Sequence, residues 1–232
     1  MTRPDPNPVE RDGPDARDLA AGEPGAWLDA VQAAIAGDAD AEVPCGTCTA
    51  CCTSAQFVHI APDETDTLAH IPRALLFPAP GLPAGHVLLG YDERGHCPML
   101  VEDACTIYAH RPRTCRTYDC RVFPATGIAP GETKVEIVRQ AERWRFDPEP
   151  GDARGRLAAV RAAAARLRDD ADALLEQGAP LPGNPTQLAV LAIEIHRLFL
   201  GADPTGTPAT PATAAVAAEI RSVVERRRRD QA

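Results

Sequence analysis

The sequence predicts an α+β fold that is mostly helical, with its strands confined to the middle of the chain. All eight cysteines lie between Cys45 and Cys120, in a region where short extended runs alternate with loops. The last third instead repeats apolar residues every three or four positions, which is typical of helices that pack on one another. We therefore expect a small, irregular cysteine-cluster domain with short strands, and C-terminal helices packed against it.

The chain divides into three predicted segments. Residues 1–24 are expected to form a disordered leader, because prolines and charged residues alternate there with little apolar surface to bury. Residues 25–147 are assigned to the cysteine-cluster domain, which includes an N-terminal helix. Residues 148–232 are assigned to a C-terminal helical region.

The first two segments predict one clear helix, followed by short strands and turns. Trp27, Val31 and Ile35 recur at four-residue spacing and predict a helix over 25–37. The further elements predicted before residue 141 are, in order, a strand at 56–61, a helix at 62–70, a strand at 86–90, a hairpin of 97–101 with 104–108, a helical turn at 110–116 and a strand at 133–140.

The last third predicts three helices. Apolar residues at 157, 160, 164, 167, 171 and 174 form one seam and predict a helix over 152–177. Asn184 followed by Pro185 is a helix-start signal, so a second helix is expected from there to Leu200. A third helix is expected over 213–229.

Charge and hydropathy exclude several classes of protein. The formal net charge is −9, and residues 1–44 hold 10 acidic but only 3 basic side chains. A generic nucleic-acid binder is therefore disfavoured, since phosphate contact needs a basic face. The longest apolar stretch, 188–200, is interrupted by Glu194, His196 and Arg197, and residues 1–18 lack the apolar run of a signal peptide. We expect a cytoplasmic protein with no nucleic-acid or membrane partner.

The cysteines point to a shared chemical partner. In the cytosol thiols stay reduced, so a cluster predicts metal ligands or redox groups before it predicts disulfides. The first four form the pattern C-x2-C-x2-C-C, and four more follow downstream. We predict that all eight are ligands of zinc or iron: Cys45, Cys48, Cys51, Cys52, Cys97, Cys105, Cys115 and Cys120.

The spacing leaves the kind of site open. The C-x2-C-x2-C run with a remote Cys97-Pro98 resembles ferredoxin-type iron–sulfur sites. A C-x2-C pair completed by two later cysteines equally suits structural zinc. The adjacent Cys51 and Cys52 point in different directions, so we expect one of them to serve a different site, or the pair to bridge two metals. Eight thiols allow two four-sulfur sites without assigning their members.

The cysteine segments carry a family resemblance between Cys45 and Phe123. CGTCTACC is followed by CPML and then by CTIYAHRPRTCRTYDC. This combination resembles the YkgJ family of cysteine-cluster proteins, also called the CxxCxxCC family. The resemblance implies metal chelation by these cysteines, of zinc or iron. Flagellin lysine N-methylases look similar in this region, which keeps an iron–sulfur or methyl-transfer role as the alternative.

Residues around the cysteines have weaker predicted roles. Arg111 and Arg116 are expected to support the thiolates through hydrogen bonds, and Tyr108 and Tyr118 to pack over the site. Three histidines could also bind a metal, but with eight thiols available we interpret each as an ordinary loop or surface residue: His59, His96 and His110.

Three functions are consistent with these patterns. The first is a non-enzymatic metal-binding protein that holds zinc or iron for structure, storage or delivery. The second is an enzyme or electron carrier with an iron–sulfur cluster, linked to protein methylation. The third is an adaptor whose C-terminal helices bind a protein partner while the metal only folds the core.

Overall fold

The computed structural model describes residues 18–41, 43, 46–131, 133–148, 155–201 and 207–230. The helices are α1 (Pro24–Ala36), α2 (Thr65–His70), α3 (Arg113–Thr117), α4 (Val122–Thr126), α5 (Val135–Ala141), α6 (Arg156–Asp169), α7 (Ala171–Glu176), α8 (Pro185–Ile195) and α9 (Thr213–Asp230). Short 3-10 helices occur at Arg73–Leu75, Tyr108–His110 and His196–Phe199. The strands are β1 (Leu19–Gly22), β2 (Val58–Ile60), β3 (Leu76–Pro78), β4 (Val87–Leu89), β5 (Leu100–Val101), β6 (Ala104–Cys105) and β7 (Trp144–Phe146).

The helices build a larger core, which joins α1 and α4–α9. In α6 the buried positions Ala159, Val160, Ala163, Ala164 and Leu167 form one stripe, and the small alanines allow α8 to approach closely. Helix starts are capped: the Glu23 carboxylate accepts from the Gly25 amide at 2.7 Å, and Asn184 Oδ1 accepts from the Thr186 amide at 2.9 Å.

A smaller core lies under the short strands. The antiparallel sheet has the order β2–β4–β3, with Val58 opposite Leu89 and Ile60 opposite Val87. The buried members of this core are Val58, Ile60, Ile71, Leu89, Met99 and Ile107. Six such residues bury little apolar surface, so this region has a weak hydrophobic drive to fold on its own.

Two distant segments pair beside the larger core. β1 runs parallel to β7, with Leu19 opposite Trp144 and Ala20 opposite Arg145. This pairing places Trp144, which is 2% exposed, in the larger core next to the residues that precede α4.

The structure confirms the mostly helical α+β class and most of the elements. The helix predicted over 25–37 is α1, the predicted hairpin is β5–β6, and the helix predicted over 213–229 is α9. The larger core contains residues from both sides of the boundary placed at 147/148, so the C-terminal helices pack against the segment before it; the division into domains stays a prediction.

The strand predicted over 133–140 is wrong, because Val135–Ala141 is helix α5. Its buried residues are Ile137, Gln140 and Ala141, which have the three- and four-residue spacing of a helix. Val135 is 49% exposed, so the alternation of Val135 with Ile137 does not mark a buried face.

Three further predictions need correction. Residues 19–22 of the predicted disordered leader form β1; residues 1–17 lie outside the described residues. The single helix predicted over 152–177 is divided between α6 and α7 at Asp170, whose backbone leaves the helical region at φ −115° and ψ 25°. The helix predicted to reach Leu200 ends at Ile195 and continues as the 3-10 turn.

Among the described residues, no helix combines the length and the apolar composition that a bilayer-spanning segment needs.

Candidate metal centre

Backbone hydrogen bonds bring the first cysteine run beside Cys97. The Cys97 amide donates to the Cys52 carbonyl at 2.7 Å, and the Ala55 amide donates to the Gly95 carbonyl at 2.8 Å. Gly95 has φ +81°, and a Cβ added there would lie 3.3 Å from the Ala55 Cβ, so glycine suits this close approach. Two segments separated by some forty residues of sequence thus meet at the cysteines.

Other contacts fix the remaining cysteines. The Thr114 hydroxyl donates to the His59 carbonyl at 2.7 Å, which joins α3 to β2 and positions Cys115. The Thr106 amide donates to the Met99 carbonyl at 2.9 Å, which closes the hairpin that carries Cys105. Lys134 Nζ donates to the Ser54 carbonyl at 2.6 Å and holds the loop after Cys52. Cys105 and Cys115 are therefore placed by elements separate from the first cysteine run.

Five thiols form one sulfur group, which consists of Cys51, Cys52, Cys97, Cys105 and Cys115. Burial, with smaller contributions from the neighbouring Cys51, Cys97 and Cys105, raises the pKa of the Cys115 thiol to about 12. Burial also raises the pKa of Cys97, to which Cys105 and Cys51 add. Cys97, Cys105 and Cys115 pack on the smaller core. Cys51, Cys97 and Cys115 likewise raise the pKa of Cys52, so electrostatic effects connect the members of this group.

Cys51 and Cys52 are the closest pair in the sulfur group. Their Sγ atoms are 4.0 Å apart. The hydrogen bond between them lowers the pKa of Cys51 and raises that of Cys52. Sulfurs that share a tetrahedral zinc ion with bonds of about 2.3 Å lie roughly 3.8 Å apart, so this pair already has the spacing of common ligands.

Cys48 and Cys120 form a second pair of thiols, on the side of the larger core. Cys120 is buried, and burial raises its pKa to about 12, with smaller effects from Asp119, Cys48 and Cys51. The Trp144 indole donates to the Cys120 Sγ at 3.1 Å. Cys51 acts on both this pair and the sulfur group. Cys45 lies outside the described residues.

The donor set fits a thiophilic metal. The seven described cysteines are free thiols rather than disulfides. Zinc and iron–sulfur sites both take several cysteine sulfurs. Within the described ranges no three thiol sulfurs all lie within 4.8 Å of one another, so a common ion would draw the sulfurs closer together. Because raised pKa values keep buried thiols protonated, binding would release protons and strengthen as pH rises.

The arginines and the tyrosine beside the cysteines make different contacts. The charge of Arg111 acts on Cys51 and Cys115, but its Nε donates to the Tyr108 carbonyl at 2.9 Å, so its hydrogen bonding to thiolates stays a prediction. Its guanidinium stacks on Tyr108 at 3.6 Å from the ring centroid, and Tyr108 is 56% exposed. Arg116 instead binds Asp40 at 3.0 Å and the Arg111 carbonyl. Arg116 therefore stabilises the backbone that follows the 3-10 turn Tyr108–His110, and not a sulfur.

One group of possible ligands was missed by the sequence interpretation. Asp66, His70 and His110 bring three ligand atoms within 4.8 Å of one another. Asp66 and His70 are four residues apart on a predicted helix, which is a readable signal. His110 comes from a distant turn, and nothing in the sequence joins it to them.

The family comparison agrees with this geometry. Residues 44–139 match the model of the CxxCxxCC family, described as “Putative zinc- or iron-chelating domain”. No curated protein and no solved structure matches the chain. The matched range contains all eight cysteines and both segments that meet at Cys52 and Cys97. The CxxCxxCC part of the resemblance noted in the sequence is thereby confirmed over residues 44–139.

Proposed function

We propose that this chain is a non-enzymatic metal-binding protein that chelates zinc or iron through its cysteines, for structure, storage or delivery. The observation that carries the proposal is the meeting of the CxxCxxCC run with Cys97, Cys105 and Cys115, three cysteines from later elements. Partly buried thiols that several separate elements bring together are the donor set that a shared thiophilic metal uses.

The grouping of the thiols suggests how the ligands are shared. The sulfur group supplies more than the four sulfurs of a tetrahedral ion. The Cys48–Cys120 pair lies beside it, and Cys51 is near both. We assign Cys51 as the ligand that links the two sets, and Cys45 as a further ligand of the Cys48–Cys120 pair because C-x2-C pairs are typical of shared metal sites.

Cobalt substitution tests the thiolate ligands directly. Co2+ in place of zinc gives strong sulfur-to-metal charge-transfer absorption only when thiolates bind it. We expect this absorption in the full chain, with a clear loss in Cys115→Ser and an unchanged spectrum in Ser54→Ala, a matched small polar residue of the adjacent loop. Charge-transfer bands of equal strength in Cys115→Ser and the unmodified chain would contradict a ligand role for Cys115.

The second candidate is an iron–sulfur protein with a redox or protein-methylation-linked role. The observation in its favour is at Cys97, where the amides of Met99 and Leu100 lower the pKa of the thiol by hydrogen bonding. Backbone N–H groups directed at cysteine sulfur tune the potentials of iron–sulfur clusters. A brown protein with broad absorbance near about 400 nm after anaerobic purification favours this candidate; a colourless, zinc-loaded protein favours the first.

The proposal extends to location and partners. Reduced thiols suit the cytoplasm, and the acidic balance of the chain disfavours nucleic acid. The C-terminal helices offer a surface for a protein partner: a cleft of about 620 Å3 lies between α1, α8 and α9, lined by Ile35, Leu198 and the charged Glu194 and Arg226. A pull-down with the Leu198→Glu variant as control tests that surface.

A further inference from the structure

A second potential metal site lies on α2, away from the thiols. Asp66 and His70 are one helical turn apart and so face the same side of α2. His110 ends the neighbouring 3-10 turn, and its Nδ1 lies 2.7 Å from Asp66 Oδ2. His70 Nδ1 lies 3.7 Å from the other carboxylate oxygen, Oδ1. One carboxylate thus faces two imidazole nitrogens. We call these three residues the histidine–aspartate cluster.

The two imidazoles are held in a fixed arrangement. The rings of His70 and His110 stack with centroids 3.6 Å apart and planes within 6°. Both rings present a nitrogen to the same carboxylate, so one divalent ion can take ligands from all three side chains.

The backbone on both sides of the cluster is anchored. The Thr67 hydroxyl, in a residue only 3% exposed, donates to the Arg111 carbonyl at 3.5 Å. The buried Glu64 carboxylate accepts from the amides of Ala61 and Arg113. α2 is therefore tied to the segment that follows His110, which keeps the three ligand atoms together at low cost in conformational entropy.

The chemistry of the cluster fits one class of ion. Two imidazoles and one carboxylate are ligands that zinc and neighbouring divalent transition ions accept, and they leave further positions open to water. The side chains of Asp66, His70 and His110 are 70%, 41% and 37% exposed, so an ion reaches them directly from solvent. We propose that the histidine–aspartate cluster binds a divalent ion of the zinc class, independently of the cysteines.

Two interactions compete with the ion. His70 Nδ1 is hydrogen-bonded to the Asp66 carbonyl at 2.8 Å, and binding through that nitrogen exchanges this bond for the metal. The charge of Arg116 also acts on Asp66, although Arg116 is already engaged by Asp40 at 3.0 Å. The site therefore exchanges ions more readily than buried thiolates do, which suits capture of an ion at the surface.

The chain contains a natural control for this proposal. His59 and His86 also face each other, with Nε2 and Nδ1 2.9 Å apart. Glu64 acts on His59, but its two oxygens are taken by backbone amides. His86 acts on Asp63, whose carboxylate is bound by Arg113 at 2.7 Å, so the carboxylates near this second histidine pair are already engaged.

The test uses the full chain with its thiols already saturated by zinc under reducing conditions. Further Zn2+ is titrated while the imidazole resonances of all histidines are followed by NMR, and bound zinc is counted by equilibrium dialysis. We expect the resonances of His70 and His110 to shift together, and those of His59 and His86 to stay in place. Asp66→Asn and the double variant His70→Ala/His110→Ala should lose the extra equivalent of zinc. We expect the affinity of the site to fall by about 100-fold or more, since loss of even an outer partner of a ligand can cost that much.

The control variant is His86→Ala, which should keep the extra equivalent. Zinc binding of equal affinity in Asp66→Asn and the unmodified chain would overturn the proposal, as would unmoved His70 and His110 resonances at saturating zinc. The NMR result on the unmodified chain decides the matter even if a variant fails to fold. Because the thiols are filled beforehand, failure here leaves the proposed function of the cysteines untouched.

Discussion

The indole Nε1 of Trp144 donates a hydrogen bond to the Sγ of Cys120 across 3.1 Å, inside the larger core. A second tryptophan contacts the preceding residue, where Trp27 Nε1 donates to Asp119 Oδ2 at 2.9 Å. The first contact lowers the pKa of Cys120 against the effect of burial. The helical core therefore controls the electrostatic environment of one proposed metal ligand.

Replacement of Trp144 by phenylalanine should weaken metal binding at Cys120. The ring still fills the core, but the thiol loses the donor that favours its ionised form. Loss of one such bond is worth about 1 kcal/mol, or roughly a fivefold drop in affinity. Competition with a chromophoric chelator measures the change. Trp27→Phe is the matched control, because it removes an indole donor that contacts a carboxylate and not a thiol. An equal drop in metal affinity in both variants would contradict the effect assigned to the Trp144–Cys120 hydrogen bond.

Replacement of Asp119 by alanine should destabilise the fold strongly. Asp119 and Arg121 form an ion pair at 2.8 Å with side chains 2% and 10% exposed. Without Asp119 the buried guanidinium loses its carboxylate partner, which costs about 3–5 kcal/mol. Chemical denaturation measures this loss in the free energy of unfolding. Asp63→Ala breaks an exposed pair with Arg113 at 2.7 Å and should cost at most about 1 kcal/mol. Similar losses in both variants would show that burial of the Asp119 pair is unimportant.

Serine at Cys51 and serine at Cys52 should have unequal effects on metal content. Serine is close to cysteine in size but a poor ligand for soft metals, so packing is nearly kept. Cys51 is near both the sulfur group and Cys120, so Cys51→Ser should lose more metal than Cys52→Ser. Metal-to-protein ratios under reducing conditions compare the two. Full loading in both variants would refute a ligand role for this pair.

Removal of the metal should unfold the smaller core and spare the larger one. The smaller core has only six buried residues besides its cysteines, while a structural zinc contributes on the order of 10 kcal/mol to folding. After chelation we expect amide hydrogen exchange to become fast in β2–β4 and to stay slow in α6 and α8. Persistent protection of β2–β4 in the chelated protein would show that this sheet folds without metal.

The sequence predicts the helices better than it predicts long-range pairing. The seam through Val160, Ala164 and Leu167 is buried as the periodicity indicates, because the helix pattern is local. By contrast β1 pairs with β7 across most of the first two-thirds of the chain, and Leu19–Gly22 has no β-branched residue to mark it as a strand. The sequence predicts a strand where helix α5 lies. Gln140 and Ala141 complete the buried face of that helix, and neither residue is strongly apolar, so the helical pattern is weak.

The candidate site shows the same division. The number of cysteines and their close spacing are visible in the sequence, so a shared site is predictable. Which sulfurs lie together depends on contacts such as the Cys97 amide to the Cys52 carbonyl, and these have no sequence signature. The role of His110 was likewise hidden, since its partner Asp66 lies on a separate helix.

Elemental analysis of the protein purified anaerobically tests the central claim most directly. Zinc and iron are measured per chain in the unmodified protein, in the double variant Cys97→Ser/Cys115→Ser and in His86→Ala as a control. The proposal predicts bound zinc or iron in the unmodified chain and in the control, with a loss of at least one equivalent in the double variant. Equal metal content in the double variant and the unmodified chain, or a metal-free unmodified chain that keeps its smaller core folded, would contradict it.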